Sequence, residues 1–247
     1  MTQLTPRLQA MKALPPSQRS CLHHLEGRIP FKLCTNDYNC SRCEFDQYFD
    51  DEYTVHAVVR PVDVLEVEGI TVPQGYYLHH GHAWVKIEEG SSVRVGIDDF
   101  ALRLLGPLDR IEAPLIGKAV RQGEPHIAVN RGDHHATVLS PLSGVITAVN
   151  PQVREQGPLA NQDPYAEGWV MTLHPKNLRK ELKTLMIARE TEEFLEREVD
   201  QLHQLMEEVS GPLAADGGTL GKDIFGAMPE LGWKRLAKSF LRTPSSS

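Results

Sequence analysis

The chain has 247 residues, of which 40% are hydrophobic and 24% are charged, a balance typical of one or two folded domains. Its formal net charge of −7 is opposite in sign to the basic surface that nucleic-acid binding requires, so we expect no nucleic-acid partner. No apolar run is long enough to span a membrane, and the first residues lack the apolar core of a signal peptide. We therefore expect a cytoplasmic protein without a membrane span.

The most distinctive pattern near the start of the chain is a group of cysteines. Prolines interrupt residues 1–20, which we expect to be flexible, and the cysteines follow in one short stretch: Cys21, Cys34, Cys40 and Cys43. The last two form a Cys-x-x-Cys pair, a spacing that lets two thiolates face one metal ion. Four thiolates complete the tetrahedral shell of zinc, and they can also hold an iron–sulfur cluster. The pattern predicts a metal-binding module over residues 21–52, with zinc as the metal, an iron–sulfur cluster as the alternative, and His23 or His24 as substitute ligands.

The sequence pattern of residues 53–175 predicts a β domain. Alternating and β-branched runs, such as Tyr53–Val59 and Ser92–Gly96, are separated by glycine, proline and asparagine at regular intervals. One short helix is predicted over 98–105, because Asp98 is a good N-cap residue and Gly106-Pro107 ends the pattern.

This β region contains a short internal sequence repeat. Ala113–Gly117 and Ser140–Gly144 share the pattern small-Pro-Leu-x-Gly. Two similar halves would suit a β fold built by duplication about a local two-fold axis.

The sequence pattern of residues 176–247 predicts helices. Apolar residues recur at spacings of three and four from 178 to 209, which predicts an amphipathic helix, and a second helix is predicted over Trp233–Leu241. We expect both helices to pack on the β domain. The alternative is a basic amphipathic end that contacts a partner or a membrane surface.

Several motifs in the β region are specific enough to indicate a family. They are His82–Val85, Val95–Ala101, Pro141–Gly144 and Asn161–Trp169, the last reading Asn-x-Asp-Pro-Tyr-x-x-Gly-Trp. Residues 76–174 thereby resemble the H protein of the glycine cleavage system, a member of the lipoyl/biotinyl-carrier fold family. The resemblance implies a barrel-sandwich hybrid of two small antiparallel sheets. The expected fold is mainly β with helical flanks: this hybrid, a four-cysteine module before it and amphipathic helices after it.

The resemblance also implies where a carrier site would lie. In that family one lysine at a hairpin tip forms an amide with lipoate, a fixed distance before the Pro-x-Ser-Gly motif. Counting back from Pro141, this lysine position falls at Asp133, to within a residue, and there is no lysine between Lys118 and Lys176. A carboxylate has no nucleophilic amine, and arginine stays protonated, so neither replaces lysine. We therefore expect no lipoate and no carrier function.

The sequence contains no GxSxG, HExxH, P-loop or dinucleotide-binding motif, so we expect no enzyme and no catalytic residues. The favoured hypothesis is a binding or scaffold protein that docks a lipoate-handling or redox partner, of a glycine-cleavage or dehydrogenase type. Two alternatives remain. One is an iron–sulfur electron-transfer or redox-sensing protein, and the other is a true lipoyl carrier that uses an unusual acceptor such as Lys118.

Overall fold

A computed structural model describes residues 11–25, 29, 31–43, 64–88, 92–211 and 219–243. The chain divides into two compact units, residues 1–61 and residues 62–247. The predicted strand over Tyr53–Val59 lies outside the described residues.

The first unit is built from short elements. Helix α1 spans Leu22–Leu25, and 3-10 turns span Pro16–Gln18 and Cys40–Arg42. An isolated antiparallel bridge joins Ser20 to Leu33. In its described part, this unit therefore consists of one named short helix, two 3-10 turns and one isolated bridge, without a sheet.

The second unit contains the sheets. Its strands, over the described residues, are β1 (Val64–Val67), β2 (Ile70–Pro73), β3 (Tyr76–Leu78), β4 (Ala83–Ile87), β5 (Val93–Ile97), β6 (Arg110–Glu112), β7 (Ala119–Val120), β8 (Pro125–Arg131), β9 (His134–Leu139), β10 (Gly144–Val149) and β11 (Trp169–Pro175). They form a β1-β2 hairpin, a six-stranded sheet in the order β3-β4-β5-β11-β10-β7, and a three-stranded sheet in the order β6-β8-β9. All the pairs are antiparallel, and neither larger sheet closes into a barrel. The expected sheet-rich architecture with helical flanks is confirmed, with two sheets of unequal size.

The two segments of the internal sequence repeat are related in the structure. Each of its two segments leads into one strand of the β7–β10 pair, in which Ala119 lies opposite Val145 and Val120 lies opposite Gly144. The two repeat segments thus lead into paired antiparallel strands from opposite ends, as a local two-fold relation requires.

The helices of the second unit flank these sheets. They are α2 (Asp99–Leu105), α3 (Pro151–Glu155), α4 (Pro158–Gln162), α5 (Leu178–Glu181), α6 (Arg189–Ser210), α7 (Ile224–Ala227) and α8 (Trp233–Leu236), which continues as a π-helical turn over Ala237–Leu241. The prediction for α2 is confirmed: the Asp98 side chain accepts a hydrogen bond from the Ala101 N–H, and the helix ends at Gly106. The second predicted C-terminal helix, from Trp233 to Leu241, is also confirmed.

The single helix predicted from 178 to 209 is interrupted. Met186 exchanges two backbone hydrogen bonds with Leu78, each 2.8 Å long, so the chain is extended there and α6 begins only after Ala188. Beyond that break, α6 buries Phe194, Leu195, Val199 and Leu202 in the same core as the sheets. The C-terminal helices therefore pack on the β domain, as expected. No described helix is both long enough and apolar enough to cross a membrane.

Candidate functional site

The hairpin β8–β9 places the predicted lipoyl-lysine position at its tip. Arg131 lies opposite His134, so Gly132 and Asp133 form a two-residue turn. Gly132 has φ +54°, a left-handed conformation that glycine adopts without steric cost. The Asp133 side chain is exposed. The tip therefore presents a carboxylate to solvent.

A bidentate ion pair fastens one strand of this hairpin to the C-terminal region. Arg131 donates from Nη1 to Asp223 Oδ1 at 2.6 Å and from Nη2 to Asp223 Oδ2 at 2.8 Å. Asp223 also caps α7 by accepting from the Gly226 N–H at 2.8 Å. The hydrogen bonds from Arg131, opposed by partial burial and helped by Gly226, lower the pKa of Asp223 below its usual value. Planar fork-to-fork pairing of this kind is more specific than a single surface contact.

Aromatic contacts fasten the other strand. The His134 ring stacks on Trp233, with ring centroids 5.3 Å apart, and meets Phe225 edge-on at 5.0 Å. Trp233 Nε1 donates to the His135 carbonyl at 2.9 Å. We call Asp223, Phe225 and Trp233 the C-terminal clamp, because together they hold both strands of the hairpin next to its tip.

The turn itself is also anchored. The Gly132 N–H donates to Asp109 Oδ2 at 2.6 Å, and Arg131 Nη1 donates to the Leu105 carbonyl at 2.6 Å. The hairpin tip is therefore connected to the end of α2 as well as to the C-terminal clamp.

A second group of charges lies in the interior. His82 is fully buried, with Nδ1 2.8 Å from Asp98 Oδ2 and Nε2 3.3 Å from Glu198 Oε2, and Glu198 also pairs with Arg242. Burial alone lowers the pKa of His82, but the charge and hydrogen bond of Asp98 and those of Glu198 outweigh burial and raise the pKa to about 9. Burial raises the pKa of Glu198, yet hydrogen bonds from His82 and Arg242 bring it below its usual value. This cluster is closed to solvent at His82, so we assign it to structure.

The four cysteines lie around one cavity of the first unit. The cavity has a volume of about 390 Å³, and its lining includes Cys21, Cys34, Cys40 and Cys43. None of the four is in a disulfide. Among the described residues, no group of three or more cysteine, histidine, aspartate and glutamate side chains is arranged as a metal site. The predicted zinc or iron–sulfur centre therefore stays a prediction.

The sequence did not indicate the C-terminal clamp. Arg131 and Asp223 are 92 residues apart, and the residues around each give no sign of the other. The only local signal is that Asp223 precedes a short apolar helix as an N-cap. Lys118, the alternative lipoate acceptor, is exposed in the turn before β7, away from the hairpin tip in sequence and strand order.

Comparison with known proteins places residues 76–198 in a described family. This range matches the profile of the glycine cleavage H-protein family, and it runs from the start of β3 into α6. The four cysteines and the C-terminal clamp lie outside the matched range.

Similar proteins match about half of this chain. A probable glycine cleavage system H protein of Pyrococcus furiosus is 36% identical over 132 residues, covering 53% of this chain and 98% of that protein. The glycine cleavage system H protein of Thermus thermophilus is 34% identical over 127 residues, covering 51% and 98%. A crystal structure of a glycine cleavage system H protein from Mycobacterium marinum aligns with a TM-score of 0.44 and 26% identity, over 52% of this chain and 99% of that one.

Proposed function

We propose, from the premise that this chain belongs to the glycine cleavage H-protein family, that it is a non-catalytic binding protein that has lost the family's lipoyl-carrier role. Its H-protein-like unit would dock a lipoate-handling or redox enzyme of a glycine-cleavage or dehydrogenase type. The observation that carries the proposal is the carboxylate of Asp133 at the hairpin tip, where an acceptor amine would be required.

The contacts beside the tip support this proposal. This hairpin is held on both strands by the C-terminal clamp and at its turn by Asp109. Such a hairpin presents a fixed surface, and a preorganised surface loses little conformational entropy when a partner binds.

Lipoylation tests the loss of the carrier role. We expect the wild-type chain, expressed in a host that attaches lipoate to its own carriers, to show no lipoyl increment by intact-mass spectrometry. Asp133→Lys restores an exposed amine at the tip and should gain the increment. His135→Lys is the matched control, because His135 is also exposed and lies two residues from Asp133, in β9 instead of the turn.

Two results would contradict this assignment. A lipoyl adduct on the wild-type chain, at Lys118 or any other lysine, would restore the carrier hypothesis. Equal modification of D133K and H135K, or of neither, would mean that Asp133 does not occupy the lysine position.

Binding is tested with purified enzymes. We expect the full unmodified chain to bind at least one lipoate-handling enzyme of a glycine cleavage system with a dissociation constant on the order of micromolar, measured by titration calorimetry. A lipoylated H protein should compete for the same enzyme if the shared unit makes the contact. Absence of heat with every such enzyme, under conditions where the lipoylated H protein binds, would remove the docking role.

A further inference from the structure

The backbone of the first unit brings two of the cysteines to one side of a bridge. Cys21 N–H donates to the Lys32 carbonyl at 2.8 Å, and Cys34 N–H donates to the Arg19 carbonyl at 2.7 Å. Both cysteines are next to the bridged residues Ser20 and Leu33. Since successive side chains of extended strands point to opposite faces, Cys21 and Cys34 share the face opposite to Ser20 and Leu33.

The other two cysteines come together through a turn. Cys40 and Cys43 begin and follow the 3-10 turn Cys40–Arg42, and the Cys43 N–H donates to the Cys40 carbonyl at 2.9 Å. A turn between two cysteines separated by two residues is the usual geometry of a metal-binding pair. The bridge pair and the turn pair line the same cavity of about 390 Å³.

The surroundings of the cavity suit a group of sulfur ligands. The Tyr38 N–H donates a hydrogen bond to Cys34 Sγ at 3.2 Å, which fixes the position of that sulfur. Lys32 and Arg42 line the cavity, while no aspartate or glutamate does so among the described lining residues. Four thiolates around a divalent ion leave an excess of negative charge, which these two cations offset. Sulfur ligands without carboxylates select zinc over magnesium or calcium.

We propose that Cys21, Cys34, Cys40 and Cys43 bind one zinc ion and that this ion stabilises the first unit. The role is separate from the proposed docking function of the second unit. Among the described residues of the first unit only Tyr38 is a buried hydrophobic side chain, so this unit has little apolar core. A bound metal ion is the usual source of stability in small domains of that kind.

The experiment uses the full chain, purified under reducing, oxygen-free conditions from zinc-supplemented medium. We expect one zinc per chain by elemental analysis and a colourless protein. After the zinc is removed, added Co²⁺ should give the intense visible bands of tetrahedral cobalt bound by thiolates. The zinc content of the double variant Cys40→Ser/Cys43→Ser should be about tenfold lower than that of the wild type, or lower still, because the variant lacks two of the four ligands.

Two control variants define the ligand set. Ser20→Ala, on the opposite face of the bridge, should retain zinc at the wild-type level. His23→Ala should also retain it, although His23 lines the cavity. All three tryptophans, Trp84, Trp169 and Trp233, lie in the second unit, so unchanged tryptophan fluorescence of C40S/C43S verifies that this unit still folds.

Four results would overturn the proposal. A brown protein with stoichiometric iron and sulfide would replace zinc by an iron–sulfur cluster. Loss of zinc from H23A would replace the four-thiolate set by one that includes histidine. Disulfides in protein kept reduced and oxygen-free would indicate redox pairs. A chain that holds no metal and gives no thiolate band with cobalt would have no site.

Discussion

At Gly106 the chain passes close to the Arg131–Asp223 ion pair. Its φ of +74° and ψ of −165° lie in a region that is essentially restricted to glycine. A Cβ atom added there would lie 2.1 Å from Asp223 Oδ1 and 2.2 Å from Arg131 Nη1. Gly106 therefore ends α2 and, at the same time, leaves the space in which the ion pair of the C-terminal clamp forms.

Replacing this glycine should break the ion pair. We expect Gly106→Ala to lower the free energy of unfolding by about 2 kcal/mol more than Gly117→Ala does, because it adds lost hydrogen bonds to backbone strain. Gly117 is the matched control: its φ is +84°, but a Cβ there meets nothing within 4 Å. Urea unfolding followed by tryptophan fluorescence measures both variants. Equal losses for the two would mean that the ion pair contributes nothing to stability.

At the scale of single elements, local signals predicted local structure and no more. The limits of α2 follow from Asp98 and Gly106, which act within one helical turn, so they could be read from the sequence. The break before α6 could not, because it depends on Met186 pairing with Leu78, more than a hundred residues earlier in the chain. An apolar stripe gives the period of a helix but does not reveal a competing backbone partner.

The same distinction applies to the candidate site. The position of Asp133 in a turn could be predicted, because the family resemblance supplies the count from Pro141. The contacts between the C-terminal clamp and the hairpin could not be predicted, because Trp233 and His135 are 98 residues apart. For the cysteines, spacing predicted a common site, and all four line one cavity, while the bound metal remains a prediction.

On the scale of the whole second unit, one buried imidazole links four distant parts of the chain. His82 lies before β4, Asp98 caps α2, Glu198 belongs to α6, and Arg242 follows the last helical turn. The neighbouring His79 is neutral, because its pKa is lowered to about 3. Burial is the largest cause, and the charges of His80, His82 and Arg242 add to it. The rings of Phe100 and Phe194 cover the faces of His82. A positive charge at His82 is therefore part of the folded core.

This charge makes stability depend on pH. The pKa of His82 rises from about 6.5 in the unfolded chain to about 9 in the folded one, so its contribution is complete below about 6.5 and is lost as the pH rises through 9. We expect the free energy of unfolding to fall by a few kcal/mol, in order of magnitude, between about pH 7 and 10. Urea unfolding at a series of pH values, followed by tryptophan fluorescence, measures this fall.

Two variants separate His82 from the other titrating groups. His82→Asn keeps a side chain that tolerates the φ of +61° at this position, and it should flatten the pH dependence over that interval. His174→Gln, at an exposed position, should leave the slope as it is in the wild type. A slope that survives in H82N would assign the pH dependence to another group.

The position of the C-terminal clamp has a consequence for biosynthesis. Translation delivers residues from the N-terminus at about 5–20 per second, and domains generally begin to fold as they emerge. The hairpin leaves the ribosome well before Asp223 and Trp233, and the core residues Phe240 and Leu241 emerge later still. A nascent chain paused before residue 219 would thus lack the contacts of the C-terminal clamp with its hairpin and would leave the core unfilled. The second unit is expected to need chaperone protection until its last helical turn has left the exit tunnel.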